Sequence, residues 1–219
     1  MARIFNGTSD YILLADDPAL DSPSAGWGLG GWAFSRSLPA AAGFYNLYTR
    51  GNFYTASFCA ILIKPDSTLV AFAADSNSVF KFMVEPLALI TQGTWFHFFL
   101  SNIDDDTQLY IDGISVASNT TTWAGQSSSE PVYLGMDGYG MNNLDGSLAE
   151  WARWNEPLSS DEIELLAAGV RPVDIGKRPD VYLPMSGGVY EEIAGIAVTN
   201  SGTVEDEHPS CIVPTGSVL

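Results

Sequence analysis

The residues best suited to bind a ligand lie in one short polar stretch, residues 137–145. Asp137 and Asp145 contribute two carboxylates to it, and Asn142 and Asn143 contribute two amides. Carboxylate and amide oxygens are the ligands that Ca²⁺ prefers in proteins. The stretch therefore predicts a calcium site held by Asp137 and Asp145. The alternative is an ordinary long turn, in which the same residue types are common.

The same stretch also has the residues that a sugar-binding site needs. Tyr139, together with Trp123 from the preceding Ser/Thr-rich segment, could stack against the apolar face of a sugar ring. Asn142 and Asn143 could hydrogen-bond its hydroxyl groups. We therefore predict Trp123, Tyr139, Asn142 and Asn143 as ligand-binding residues, with calcium as the one candidate cofactor.

Catalytic residues are not predicted. Retaining glycoside hydrolysis needs two carboxyl groups about 5–5.5 Å apart. Glu150 stands alone, Glu191 and Glu192 would point to opposite faces of an extended chain, and Glu205 and Glu207 are predicted to lie in a polar tail. The sequence therefore predicts a protein that is not an enzyme.

The isolated histidines and the acidic run at 104–106 have simpler explanations than a site. His97 and His208 have no metal-ligand neighbours at helical or strand spacing, so His97 is predicted to pack in the core. Asp104–Asp106 is predicted to be a solvated turn, because three adjacent carboxylates repel one another into water.

Charge and hydropathy exclude several classes of partner. Among the 219 residues, 26 are acidic and 9 are basic, which gives a net charge of −17 and predicts no binding to nucleic acid or to an anionic membrane. No apolar run is long enough for membrane insertion, and the N-terminal segment lacks the apolar core of a signal peptide, which predicts cytoplasmic synthesis. Cys59 and Cys211 are predicted to be free thiols.

The element that fixes the architecture is a predicted β-hairpin over Thr94–Gly113. Phe96, Phe98 and Leu100 alternate onto one face of its first strand, and Leu109 and Ile111 can share a face opposite them. The Asp112-Gly113 turn then predicts a further antiparallel strand.

Other strands follow at the roughly ten-residue spacing that is typical of sandwiches and barrels. They are predicted at Phe44–Thr49, Tyr54–Lys64, Thr68–Ala73 and Val79–Val84. The Asn6-Gly7 pair predicts that the chain opens with a hairpin. One short helix is predicted near residues 159–168, because Ser159 and Glu162 have the spacing of a capping box and Gly169 supplies a stop.

Four segments in this order resemble the concanavalin A-like lectin/glucanase superfamily, in particular its laminin-G-like, pentraxin-like jelly rolls. They are FNGTSDYI with the following ADDPALD, WAFS at Trp32–Ser35, the WFHFFLSNIDDDTQLYIDG hairpin, and LDGSLAEWARWNEPLSSDEI at Leu144–Ile163. The segment VYLPMSGG with GTVEDEHPS is similar to the closing motif of bacteriophage members of this group.

The resemblance implies an all-β fold, a two-sheet antiparallel jelly-roll sandwich with the single short helix. Residues 1–170 would form the core. Residues 171–219 would be a C-terminal extension, with a closing strand near 181–185, packed on the same single domain.

The resemblance also implies a function, a non-enzymatic structural or decoration protein of a phage virion that aids attachment to host-surface glycans. Its expected partners are other virion proteins of the capsid or tail, or further copies of itself in a homo-oligomer, and its expected location is the virion surface. The alternatives are a calcium-dependent carbohydrate-binding lectin outside a virion and, third, a glucanase-like hydrolase.

Overall fold

The computed structural model describes most of the chain. The described residues are 1–51, 58–74, 79–87, 89–104, 106–121, 128–186 and 189–207. Trp123, predicted to bind a ligand, lies outside them, as do His208 and Cys211. Cys59 is a buried free thiol.

Within the described residues the chain forms fifteen β-strands and one α-helix. In chain order the strands are β1 (Ala2–Asn6), β2 (Tyr11–Leu14), β3 (Trp27–Ser35), β4 (Tyr45–Arg50), β5 (Phe58–Ile63), β6 (Leu69–Ala74), β7 (Phe80–Val84), β8 (Trp95–Ile103), β9 (Asp106–Ile111), β10 (Ile114–Asn119), β11 (Val132–Leu134), β12 (Asp145–Trp154), β13 (Val181–Leu183), β14 (Val198–Ser201) and β15 (Val204–Asp206). The helix α1 spans Ser160–Ala167, and a 3₁₀ turn spans Pro18–Leu20. At eight residues, α1 is far too short to cross a bilayer, and no other helix of the described residues could do so.

The strands form two antiparallel sheets. Sheet 1 has the order β10-β9-β8-β3-β12-β1-β15, with β13 also paired to β12, and sheet 2 has the order β14-β2-β11-β4-β5-β6-β7. Side chains from both sheets meet in one continuous apolar core. This is the two-sheet antiparallel jelly-roll sandwich with one short helix that the sequence predicts.

The predicted hairpin is confirmed as β8 and β9. Phe98 lies opposite Ile111 and Leu100 opposite Leu109, and β10 continues the sheet as the next antiparallel strand. The turn is shorter than predicted, because Asp106 already pairs with Ile103 as the first residue of β9.

The predicted opening hairpin is wrong. β1 lies in sheet 1 and β2 in sheet 2, so the two strands do not pair. The Asn6 side-chain oxygen accepts hydrogen bonds from the backbone amides of Thr8 (2.9 Å), Ser9 (2.9 Å) and Asp10 (3.2 Å). This local turn carries the chain across the sandwich, whereas a two-residue hairpin would have kept it in one sheet.

The C-terminal segment contributes more strands than the sequence predicts. β13 pairs with β12, β14 with β2, and β15 with β1. The expectation that Glu205 lies in a polar tail is therefore wrong, since it lies in β15 at the edge of sheet 1. Short edge strands are often polar and lack apolar alternation, so this pattern does not reveal them.

The helix begins and ends as predicted. Ser159 accepts from the Glu162 amide at 3.3 Å, and the Glu162 carboxylate accepts from the Ser159 amide at 2.8 Å, which completes the capping box. Ile163 and Leu166 bury their side chains in a second apolar cluster with Phe99, on the outer face of sheet 1.

Candidate functional site

A groove of about 550 Å³ crosses the outer face of sheet 2 over β4, β5, β6 and β7. The loop between β11 and β12 borders it at one side, and this is the loop in which the sequence predicts a site. The groove brings together three of the predicted residues, Asp137, Tyr139 and Asn142.

Its floor follows from the sequence of β5 and β6. Strand alternation sends Ile61 and Ile63 into the sandwich core and turns their neighbours outward. Ala60 pairs with Phe72 and Leu62 pairs with Val70, and these four outward side chains form an apolar floor. Phe58 extends the floor and packs edge-on against Phe72, with ring centroids 5.1 Å apart.

One wall of the groove is polar and belongs to β4. A register shift between Asn46 and Tyr48 lets Asn46 and Thr49 both face outward while Leu47 and Tyr48 both enter the core. The Thr49 hydroxyl donates to the Asn46 side-chain oxygen at 3.1 Å. Two hydrogen-bonding side chains are therefore held in a fixed orientation beside the floor.

The β11–β12 loop continues this wall, and Asp137 organises it. Its carboxylate accepts from the amides of Tyr139 (2.9 Å) and Met141 (2.8 Å) and from the Asn142 side-chain amide (2.9 Å). Asn142 has φ +56°, a left-handed conformation that Asn adopts more readily than most residues. Tyr139 and Met141 remain 44% and 56% exposed, so the loop presents them at the rim.

The opposite side of the groove ends in an ion pair. Lys64 donates to Glu85 and lies 3.6 Å from Asp66, and the hydrogen bond with Glu85 is the main reason that the pKa of Lys64 is raised. Met83 stands beside this pair on β7, opposite Phe72. This end therefore has one positive and two negative charges, so the Lys64 ammonium is already compensated within the protein.

The other predicted site residues have partners of their own. Asp145 is bound by Arg36 and by the Ser37 hydroxyl, the latter at 2.6 Å, and the Asn143 amide donates to the Thr8 carbonyl at 2.9 Å. Trp123 lies outside the described residues. The sequence patterns do not single out Asn46, Thr49 or the floor, although the unbroken apolar runs of β5 and β6 indicate that both faces of these strands are covered.

Calcium binding at Asp137 and Asp145 stays a prediction. In the part of the chain that the structure describes, no group of three or more His, Cys, Asp or Glu residues could hold a metal ion. Asp137 holds its own loop together and Asp145 is neutralised by Arg36, so both carboxylates have structural roles without a cation.

The glutamates considered for catalysis also serve the fold. Glu191 is buried and accepts from the amides of Tyr182 (2.9 Å), Ile193 (2.8 Å) and Gly195 (2.6 Å). Glu150 is buried on sheet 1, where it accepts a hydrogen bond from the Tyr182 hydroxyl. Burial and then the nearby Glu150 carboxylate raise the pKa of Tyr182, which keeps this donor protonated.

His97 shares a small cavity with Glu150. The cavity measures about 10 Å³, which is room for about one water molecule rather than a substrate. His97 is 2% exposed, and its burial lowers its pKa to about 3, so the imidazole is neutral. Its core position agrees with the prediction from the sequence.

Solved structures share this fold at low sequence identity. A candidate carbohydrate-binding protein of Bacteroides ovatus has a TM-score of 0.72 at 13% identity over 93% of this chain, which spans 58% of that chain. The heptameric SAP-like pentraxin of Limulus polyphemus has a TM-score of 0.63 at 14% identity, over 92% of this chain and 95% of its own. Domain 4 of AbnA, a GH43 extracellular arabinanase of Geobacillus stearothermophilus in complex with arabinotriose, has a TM-score of 0.58 at 19% identity, over 76% of each chain.

The sequence also matches a protein family directly. A comparison with curated proteins finds no match. Residues 6–164, well over half of the chain, match the family model for the concanavalin A-like lectin/glucanases superfamily, as the sequence motifs predict. The chain belongs to the concanavalin A-like lectin/glucanases superfamily.

Proposed function

We propose that this protein is a glycan-binding module, without catalytic activity, that holds its ligand in the groove on sheet 2. The observation that carries the proposal is the division of the groove into a polar wall and an apolar floor. Asn46, Thr49 and Asn142 lie on one side, and the β5–β6 floor with Phe72 lies beside them.

A sugar ring has the matching division. Its C–H face is apolar and packs on aromatic and aliphatic side chains, while its hydroxyl edge needs hydrogen bonds of fixed direction. Tyr139 at the rim and Phe72 in the floor offer the first kind of contact. The second kind would come from the amide hydrogens of Asn46 and Asn142 that their bonds within the wall leave unused. A flat apolar ligand would cover the polar side chains of the wall without hydrogen-bonding to them, which is unfavourable.

The state of the acidic residues supports binding without cleavage. Among the described residues, the acids that line the groove are Asp137 and Glu85, and each is already engaged, the first by its own loop and the second by Lys64. General acid catalysis needs a carboxyl group that is available to the glycosidic oxygen.

The structural neighbours also support a carbohydrate ligand. The Geobacillus arabinanase domain was solved with arabinotriose, and the Bacteroides protein is described as a candidate carbohydrate-binding protein. Both have the same fold as this chain at under 20% identity, so they favour a ligand class and identify no sugar.

A glycan array is the direct test. The wild-type protein should retain a subset of glycans and release no reducing sugar from them, and Phe72→Ala should lose that retention. If the wild-type protein binds no glycan on the array, either with or without calcium, the proposal is overturned. Release of reducing sugar that is lost in Glu150→Gln would instead support the glucanase alternative.

The virion role is a further proposal, in which the module decorates a phage particle and binds host-surface glycans through the groove. Two exposed residues of the β7–β8 loop support a protein partner, because Leu87 is fully exposed and Leu89 is 60% exposed. A capsid or tail protein, or a second copy of this chain, would cover such an apolar surface.

Light scattering and co-sedimentation with phage particles test this role. A stable oligomer or a particle-bound form, weakened by Leu87→Glu, is expected. A monomer that never co-sediments with particles would overturn the virion role and leave glycan binding untouched.

A further inference from the structure

The floor of the groove consists of apolar side chains, and their chemistry bears on which sugars can bind. Across β5 and β6 the outward apolar side chains that line the groove are Phe58, Ala60, Leu62, Val70 and Phe72. None of these five has a hydrogen-bonding group, and Ala60 is the smallest, so the floor is lowest between Thr49 on one side and Phe72 on the other.

A hydroxyl group directed at this floor would lose its water and gain no partner, which is unfavourable. A methyl group directed at it would leave water for a packed apolar surface, which is favourable. The floor therefore favours a sugar with a methyl-bearing substituent over one that has hydroxyl groups alone.

The charges that line the groove also limit which sugars can bind. Among the described residues that line the groove, Lys64 is the one cation, and Glu85 and Asp66 already surround it. A uronic acid or a sulfated sugar would meet no uncompensated positive charge there, and the net charge of −17 would repel it. The ligand should therefore carry no anionic group, and a cationic group placed on the apolar floor would lose its water without gaining a partner.

On the basis of the proposed function, we infer that the groove selects neutral glycans whose rings carry acetamido groups. The acetyl methyl lies on the floor at Ala60, between Phe72 and Leu62. The amide of the same substituent and the ring hydroxyls face Asn46, Thr49 and Asn142. These side chains bond to one another and to Asp137, and the amide hydrogens and oxygen lone pairs that those bonds leave unused would serve the ligand.

Three β-1,4-linked hexasaccharides with the same backbone test this inference, because they differ only at C2. They are the hexamers of N-acetylglucosamine, glucose and glucosamine, measured with the full chain by calorimetry at several salt concentrations. The acetylated hexamer should bind about tenfold more tightly than the glucose hexamer, the size expected for one buried methyl and one paired amide.

Variants of the floor connect the preference to the groove. Val70→Thr keeps the side-chain shape and adds a hydroxyl, so it should remove most of the preference for the acetylated hexamer. Val204→Thr makes the same substitution on β15, away from the groove and 57% exposed, and should change nothing. If Val70→Thr fails to fold, Ala60→Ser makes the same test.

The outcomes separate the two proposals. Equal affinity for the acetylated and glucose hexamers, or tighter and salt-dependent binding of the cationic glucosamine hexamer, would overturn the acetamido inference while glycan binding stands. A preference that survives both floor variants would also overturn it. No binding to these hexamers or to any array glycan would overturn both proposals.

Discussion

The backbone carbonyl of Asn142 accepts a hydrogen bond from the backbone amide of Asn46 at 3.1 Å. This contact joins the β11–β12 loop to β4 and makes one continuous polar wall from two segments that are far apart in the sequence. The position of the loop therefore depends on the left-handed backbone of Asn142, at φ +56°.

Substitutions at Asn142 should separate its backbone from its side chain. Asn142→Gly tolerates positive φ, whereas Asn142→Ala is strained there and should lower the free energy of unfolding by about 1 kcal/mol more. Urea unfolding of the two variants measures the difference. Equal stability would mean that the loop adopts another backbone conformation, and the wall would then not be fixed by this contact.

Tyr139 should contribute to ligand binding more than to folding. It is 44% exposed at the rim of the groove, so Tyr139→Ala should leave the melting temperature nearly unchanged. Loss of one aromatic contact should weaken glycan binding about fivefold to tenfold. Tyr190→Ala removes a tyrosine that is 49% exposed and does not line the groove, and it should bind as tightly as the wild type.

Calcium is expected to have little effect on the groove. Asp137 already accepts three hydrogen bonds and Asp145 is paired with Arg36, whereas Ca²⁺ needs six to eight oxygen ligands. Melting temperature and glycan affinity should therefore be the same with calcium and with a chelator. A calcium-dependent rise in melting temperature that disappears in Asp137→Asn would instead establish the predicted metal site.

His97 should make stability depend on pH. Burial lowers its pKa from 6.5 to about 3 in the folded protein, so unfolding takes up a proton between these pH values. The stabilising contribution is complete above pH 6.5 and decreases as the pH falls toward 3, with a slope of up to about 1.4 kcal/mol per pH unit.

His97→Gln provides the comparison for this pH dependence. The variant lacks the titrating imidazole, so its free energy of unfolding should fall less steeply between pH 6.5 and pH 4 than that of the wild type. Chemical denaturation at a series of pH values measures both slopes. Identical slopes would mean that the imidazole is not shielded from water as the structure places it.

Glu191 and its neighbour Glu192 form a natural pair for a stability test. Glu191 is buried against three backbone amides, and replacing it by Gln should cost about 2–3 kcal/mol, because the amide group turns a donor toward donors. Glu192 is exposed, so Glu192→Gln should change the free energy of unfolding by less than about 0.5 kcal/mol. Equal effects in urea unfolding would contradict the structural role of Glu191.

The sequence by itself predicts the parts of this protein that depend on local patterns. Apolar alternation in Thr94–Gly113 predicts the β8–β9 hairpin with its facing pairs, and Ser159 with Glu162 predicts the start of α1. The turn-forming residues of 137–145 indicate the loop that borders the groove. In each case the interacting residues are close in sequence, so the spacing alone specifies the structure.

The tertiary structure decides what depends on distant contacts. Asn6-Gly7 resembles a hairpin turn, yet its side-chain hydrogen bonds send β2 into the other sheet. β5 and β6 are apolar on both faces, so no alternation shows which side chains fill the core and which form the groove floor. The pairing of β4 and β7 beside these strands decides which of their side chains fill the core. The contact of Asn142 with Asn46 then places the polar wall beside the apolar floor.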